Sequence, residues 1–222
     1  DALMSRGLGD VYKRQGEVTN KIPAKDLQDK GVLANCHVNV LQTNDILEFR
    51  SYAEELKWLT TDAKRMSWVA QTINDISTSG NTLILVDRIS AGEILEKKIK
   101  DSVFIRGATK NMERKEHYDE VSTAQTKVII ATYGVAAVGI NIPRIFNLVL
   151  IEPGKSFVRV IQSIGRGIRK AEDKDSVNIW DITSACKFAR RHLTQRKKFY
   201  KEANYPYNIE KVDTDLYEDI DT

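Results

Sequence analysis

The sequence of 222 residues is 41% hydrophobic and 29% charged, with 34 basic against 31 acidic residues and a net charge of +3. That length suffices for one sizeable domain plus an appendage or for two small domains, and so small an excess does not by itself mark a nucleic-acid binder. The two cysteines, Cys36 and Cys186, are far apart with no CxxC partner, which argues against a disulfide framework or zinc site and fits a reducing compartment, while no apolar run is long enough to span a membrane and no signal peptide is visible.

Residues 1–15, DALMSRGLGDVYKRQ, lack periodicity, resemble translated adaptor sequence and are set aside as a non-native or disordered end. The native frame is expected to begin further upstream. From Gly16 to about residue 60 the pattern is mixed, with one alternating stretch, HVNVL (37–41), that reads as a strand. The stretch 62–78 reads as a helix: Met66, Val69, Ile73 and Ile76 share one face, and Asp62 stands at its start.

After Gly80 the text becomes regular. Strands are predicted at 82–87, 102–105, 127–132, 147–152 and 176–182, and helices at 90–99, 110–122, 157–170 and 184–203. The strands are apolar throughout, and they alternate with helices. Both features point to an α/β fold with a parallel sheet covered by helices on both faces. Ligands of such folds gather at the carboxyl ends of the strands, so Asp87-Arg88, Arg106-Gly107, Thr132-Tyr133-Gly134 and Glu152 to Ser156 are the residues to watch. Neither an internal repeat nor a low-complexity tract is present. The acidic end, 206–222, reads as a disordered tail.

The stretch IQSIGRGIRK (161–170) sets a glutamine and two arginines among isoleucines. On a helix, Phe157, Ile161, Ile164 and Ile168 fall within about 60° of one another and form a buried stripe. Gln162, Arg166 and Arg169 also fall within about 60°, on a face roughly 120° away. Guanidinium forks match phosphate geometry and keep their charge, and Gly165 and Gly167 let another surface approach. The plain alternative is a surface helix whose arginines pair with carboxylates. It leaves the two glycines unexplained.

QSIGRGIR resembles motif VI of the superfamily 2 helicases, and ATYGVAAVGINIP (131–143) before it resembles motif V. TLILVDRI (82–89) looks like motif IV, and IRGATKNMER (105–114) like the strand–glycine–helix element that follows it. Over roughly residues 16–205 the pattern is similar to the UvsW-type helicases of phages and, more distantly, to the XPB-like branch. The resemblance implies a RecA-like C-terminal motor domain (61–205) preceded by an interdomain linker segment (16–60). It implies ATP and Mg2+ as cofactors, both held mainly by an N-terminal RecA-like domain. Arg169 would be the arginine finger, assisted by Arg166, with Gln162 sensing the γ-phosphate and Gly139 and Asn141 completing the nucleotide-side loop. Asn141 stands where many relatives carry Asp, which removes a charge from that contact.

Thr132, Tyr133, Arg88 and Gly107 would face DNA, single-stranded or branched, and for Tyr133 base stacking and plain packing stand as equal readings. No membrane partner is implied. The location would be cytoplasmic, that of the host cell if the protein is phage-encoded. The expected function is the motor half of an ATP-dependent DNA helicase that remodels branched DNA in phage replication or recombination. A restriction-type double-strand translocase and a non-catalytic module that binds nucleic acid or a partner are the alternatives.

GKS (154–156) after a strand invites a P-loop reading, but GxxxxGK[ST] needs glycine where Val149 stands, and no DExD or DExH box follows a strand. Lys155 and Ser156 read instead as the start of the helix that follows. The chain alone is therefore expected not to hydrolyse ATP. The helix at 184–203 carries Lys187, Arg190, Arg191, Arg196, Lys197, Lys198 and Lys201 among Phe188, Phe199 and Tyr200. It reads either as a grip on phosphates or as a solvated face with aromatics on the core. His37, His117 and His192 show no metal spacing, and no metal site is expected.

Overall fold

The structure is a computed structural model that describes residues 35–140, 142, 144–154, 157, 160–161 and 176–217. Its centre is a seven-stranded sheet in the order β3-β4-β2-β5-β6-β1-β7, parallel at every pairing. The strands are β1 (Asn35–Thr43), β2 (Thr82–Val86), β3 (Val103–Ile105), β4 (Val128–Thr132), β5 (Asn147–Ile151), β6 (Ser176–Ser184) and β7 (Tyr207–Val212). The helices are α1 (Tyr52–Thr61), α2 (Ala63–Ser77), α3 (Ile89–Lys98), α4 (Asn111–Thr123), α5 (Tyr133–Ala137) and α6 (Lys187–Glu202).

The apolar strands carry two cores because successive side chains point to opposite faces. Leu83, Leu85, Ile129, Leu148 and Leu150 pack on one face with Phe157, Ile161, Leu193 and Phe199. Ile84, Val86, Ile130, Val149 and Ile151 pack on the other with the stripe predicted on α2, Met66, Val69, Ile73 and Ile76. This is a RecA-like α/β layering. Gly92 shows how tightly α3 sits: a Cβ there would lie 2.3 Å from the Phe104 ring. Gly80 turns the chain at a φ of 155°, with Phe146 against it, so a side chain has neither space nor an easy backbone there.

Three boundaries differ from the sequence expectation. Residues 35–60 are built into the domain: β1 lies between β6 and β7, and α1 packs beside α2. The helix expected from residue 184 starts at Lys187, because Ser184 is still in β6 and its hydroxyl donates to Asp45 at 2.6 Å. The stretch read as a disordered tail carries β7, paired with β1 from Val38↔Tyr207 to Thr43↔Val212, and a 3-10 turn at Thr214–Tyr217. Its order comes from long-range partners: Tyr217 is buried, and its hydroxyl donates to Asp45 at 3.1 Å. Net acidity hid those two contacts.

Candidate nucleotide and nucleic-acid site

The carboxyl ends of β2, β3 and β4 bring Arg88, Gly107 and Thr132 to one edge of the sheet, as a parallel sheet requires. Arg88 is partly exposed, lies 3.8 Å from Asp87 and donates to the Ala53 carbonyl at 3.4 Å. Gly107 is exposed with nothing within 4 Å of a Cβ position, and Arg114 fixes its loop by donating to the carbonyls of Arg106 and Gly107, both at 2.8 Å. The Thr132 hydroxyl accepts from the Val135 amide at 3.2 Å, which leaves its own proton free to donate. Gly139 is exposed at φ 106°, a conformation that favours glycine.

Tyr133 is the exception. It is 9% exposed, and its hydroxyl donates to the Ile151 carbonyl at 2.9 Å. Base stacking needs an open ring face, so packing is the reading its surroundings support. Gln162, Arg166, Arg169, Asn141, Lys155 and Ser156 lie outside the described residues. Of the apolar stripe expected at 157–168, Phe157 and Ile161 are described and buried.

Two buried arginines hold the turn that leads into that segment. Arg65, from α2, donates to the Glu152 carboxylate at 2.9 Å and to the Leu59 carbonyl at 2.6 Å, and Thr183 donates to the other Glu152 oxygen at 3.1 Å. Glu152 sits at φ 43°, uncommon for a residue with a side chain, and its amide donates to the Ile182 carbonyl at 3.0 Å. Arg196, from α6, clasps Asp181 through Nε at 2.8 Å and Nη2 at 2.9 Å, and its Nη1 donates to the Pro153 carbonyl at 2.8 Å. Tyr200 adds a third donor to Asp181 at 2.7 Å. Sequence reasoning left the cations of α6, Arg196 among them, between a phosphate grip and a solvated face. For Arg196 the structure shows neither: it is 2% exposed and each of its nitrogens is bonded inside the domain. The available signal was Asp181 inside the apolar run SVNIWDI, since a buried carboxylate needs a cation.

Burial pushes the Glu152 carboxyl up to about 7, while Arg65 and Arg196 pull it the other way. A folded pKa above the usual value of 4.5 gives stability that is full below 4.5 and is lost as pH rises through about 7. Thermal melts of the wild type and Glu152→Gln should therefore diverge with pH. The melting temperature of the wild type relative to the variant is expected to fall between about pH 5 and pH 8. A difference that stays constant over that range contradicts the assignment.

Among the described residues no group of three His, Cys, Asp or Glu could hold a metal ion, and no helix is long and apolar enough to cross a membrane. His37 instead meets the Asn208 side chain at 2.7 Å.

The fold and the strand-end loops define a RecA-like α/β domain. Residues 64–171 match the helicase conserved C-terminal domain, and the chain as a whole resembles UvsW. It is 24% identical over 201 residues to the ATP-dependent DNA helicase uvsW of Enterobacteria phage T4, across 86% of this chain and 40% of that protein. It is 31% identical over 104 residues to putative helicase 22 of a Sulfolobus islandicus filamentous virus, across 45% of this chain and 18% of that one. The crystal structure of T4 UvsW superposes with a TM-score of 0.69 at 21% identity, over 80% of this chain and 42% of that chain. The C-terminal domain of the DEAD-box protein Dbp5 does so at 0.53 and 20% identity, over 85% and 99%. The chain spans about 40% of the length of the curated relative it resembles over most of its own length.

Proposed function

We propose that this chain is the C-terminal motor half of an ATP-dependent DNA helicase or translocase that remodels branched DNA in phage replication or recombination. The observation that carries this reading is the order of motif V after β4 and motif VI after β5 in a domain that resembles UvsW. ATP, held with Mg2+ mainly by a preceding RecA-like domain, supplies the phosphoryl group whose hydrolysis drives the cycle. Arg169 and Arg166 stabilise charge on that group, Gln162 senses it, and Gly139 and Asn141 shape the loop beside it. Arg88, Gly107 and Thr132 contact the DNA backbone, Thr132 through its hydroxyl proton. Closure and reopening of the two domains would shift these loops along the strand.

The test is DNA-stimulated ATP hydrolysis by this chain alone and then mixed with a separately expressed N-terminal RecA-like motor domain. Silence alone and turnover in the mixture are the expected results. Turnover by this chain alone would mean a complete nucleotide site resides in it, and the division of labour proposed above would fall.

A further inference from the structure

The seven cations of α6 and its neighbourhood read alike in sequence, and the structure sorts them. Arg196 is buried on Asp181, and Phe199 and Tyr200 are in the core. Lys197 is half-buried, and Lys187, Arg190, Arg191, Lys198 and Lys201 are exposed. At 100° per residue these five fall within an arc of about 100°, and at 1.5 Å rise they run for about 21 Å. Arg196 alone among the cations of this helix has an ion pair among the described residues. The helix carries one carboxylate of its own, Glu202, at the far end.

Three of these cations stand in the first five residues of α6, the end where the helix dipole disfavours positive charge. No acidic residue of the helix offsets them in its first turn. The cap comes from α1: the Glu55 carboxylate accepts from the amides of Phe188 at 3.0 Å and Ala189 at 2.7 Å, and it is itself buried. Glu55 therefore satisfies the backbone and leaves the outward cations unpaired. Two of them are also pre-ordered, because Lys187 and Arg191 lie 5.5 and 5.9 Å from the Phe188 ring centroid.

This corner is continuous with the strand-end loops. Arg88 at the end of β2 reaches the Ala53 carbonyl at 3.4 Å, its neighbour Tyr52 is 38% exposed, and the Tyr52 and Phe188 rings are 6.3 Å apart. The resulting path runs cation, aromatic, aromatic, cations. Cations that track a backbone, interleaved with ring faces, are the combination that holds nucleic acid without reading sequence.

We propose that the exposed face of α6, with Phe188 and Tyr52, is an additional phosphate-backbone contact that extends the DNA path from the Arg88 loop. The inference rests on the helicase reading, and its occupant is DNA. The experiment is a salt titration of the binding of this chain to a fluorescently labelled forked duplex. The triple variant Lys187→Ala, Arg190→Ala, Arg191→Ala should bind roughly tenfold or more weakly at low salt. Its plot of log affinity against log salt should be shallower by about two to three. Lys97→Ala with Lys100→Ala, exposed cations on and beside α3, is the control and should keep the slope of the wild type.

If the triple variant does not melt like the wild type, Lys198→Ala with Lys201→Ala decides, with an expected loss of about one to two in slope. A triple variant that melts normally and keeps the slope of the wild type overturns the proposal. So does an equal loss in the control, a wild-type chain that binds anionic vesicles and not the duplex, or one that binds neither. These outcomes are separate from the hydrolysis test, which can succeed with a wild-type chain whatever α6 does.

Discussion

Replacing Arg169 by alanine in the complete protein is expected to lower DNA-stimulated ATP turnover by about 10³-fold or more. The proposed role is stabilisation of charge that develops on the transferred phosphoryl group, an interaction stronger in the transition state than in the ground state. The loss should therefore fall on kcat, with a much smaller change in KM for ATP. Arg169→Lys should recover little, since an ammonium keeps the charge but lacks the planar fork that meets two oxygens at once. Arg166→Ala is expected to cost less, as an assisting group. DNA binding by the variant should be close to that of the wild type, because the proposed role is toward nucleotide and not DNA. The rival in which the arginines only make surface pairs gives the opposite result: turnover in Arg169→Ala within a few-fold of the wild type would remove the arginine-finger role and support that rival.

How legible each part was follows from the range of the interaction that fixes it. The runs TLILVD and NLVLIE carry their own burial signal, and both became central strands within one residue of the expected bounds. Asp62 stands before a 3.6-residue stripe and does cap α2, accepting from the Arg65 amide at 3.0 Å. These are local patterns. The insertion of β1 between β6 and β7 is a topological fact that no local pattern encodes, and without it the end of the chain looks like an acidic tail. The turn at Glu152 was legible as a place, being a strand end, yet not as chemistry. Its partner Arg65 is 87 residues away, and Arg196 lies 43 residues beyond the Pro153 carbonyl it holds. Charge counts could not separate Arg196 from Lys198 either, because helix phase distinguishes them only once the buried face is known.

That same separation makes Asp181 the position with the largest expected stability effect. Asp181 is fully buried, and three donors from Arg196 and Tyr200 engage both of its oxygens. Truncation to alanine leaves a guanidinium that is 2% exposed without the carboxylate it clasps; burial pulls its pKa down, and Asp181 is the main group that holds it above the usual arginine range. Breaking one side of such a pair costs about 3–5 kcal/mol, because the surviving charge is stranded in the core. In a domain of this size that is a drop in melting temperature of roughly ten degrees. Removing the whole polar set gives a different result. Asp181→Leu combined with Arg196→Met and Tyr200→Phe leaves neither a buried ion nor an orphaned hydroxyl, and most of the loss should be regained. Arg196→Lys should fall between the two, since one ammonium cannot span both Asp181 oxygens and also reach the Pro153 carbonyl. A triple variant no more stable than Asp181→Ala would show that shape, and not stranded charge, dominates at this site. Recovery in the triple variant would instead identify the Asp181–Arg196 clasp as a device whose main work is to fix the Pro153 turn, with little net gain in stability from the ions themselves.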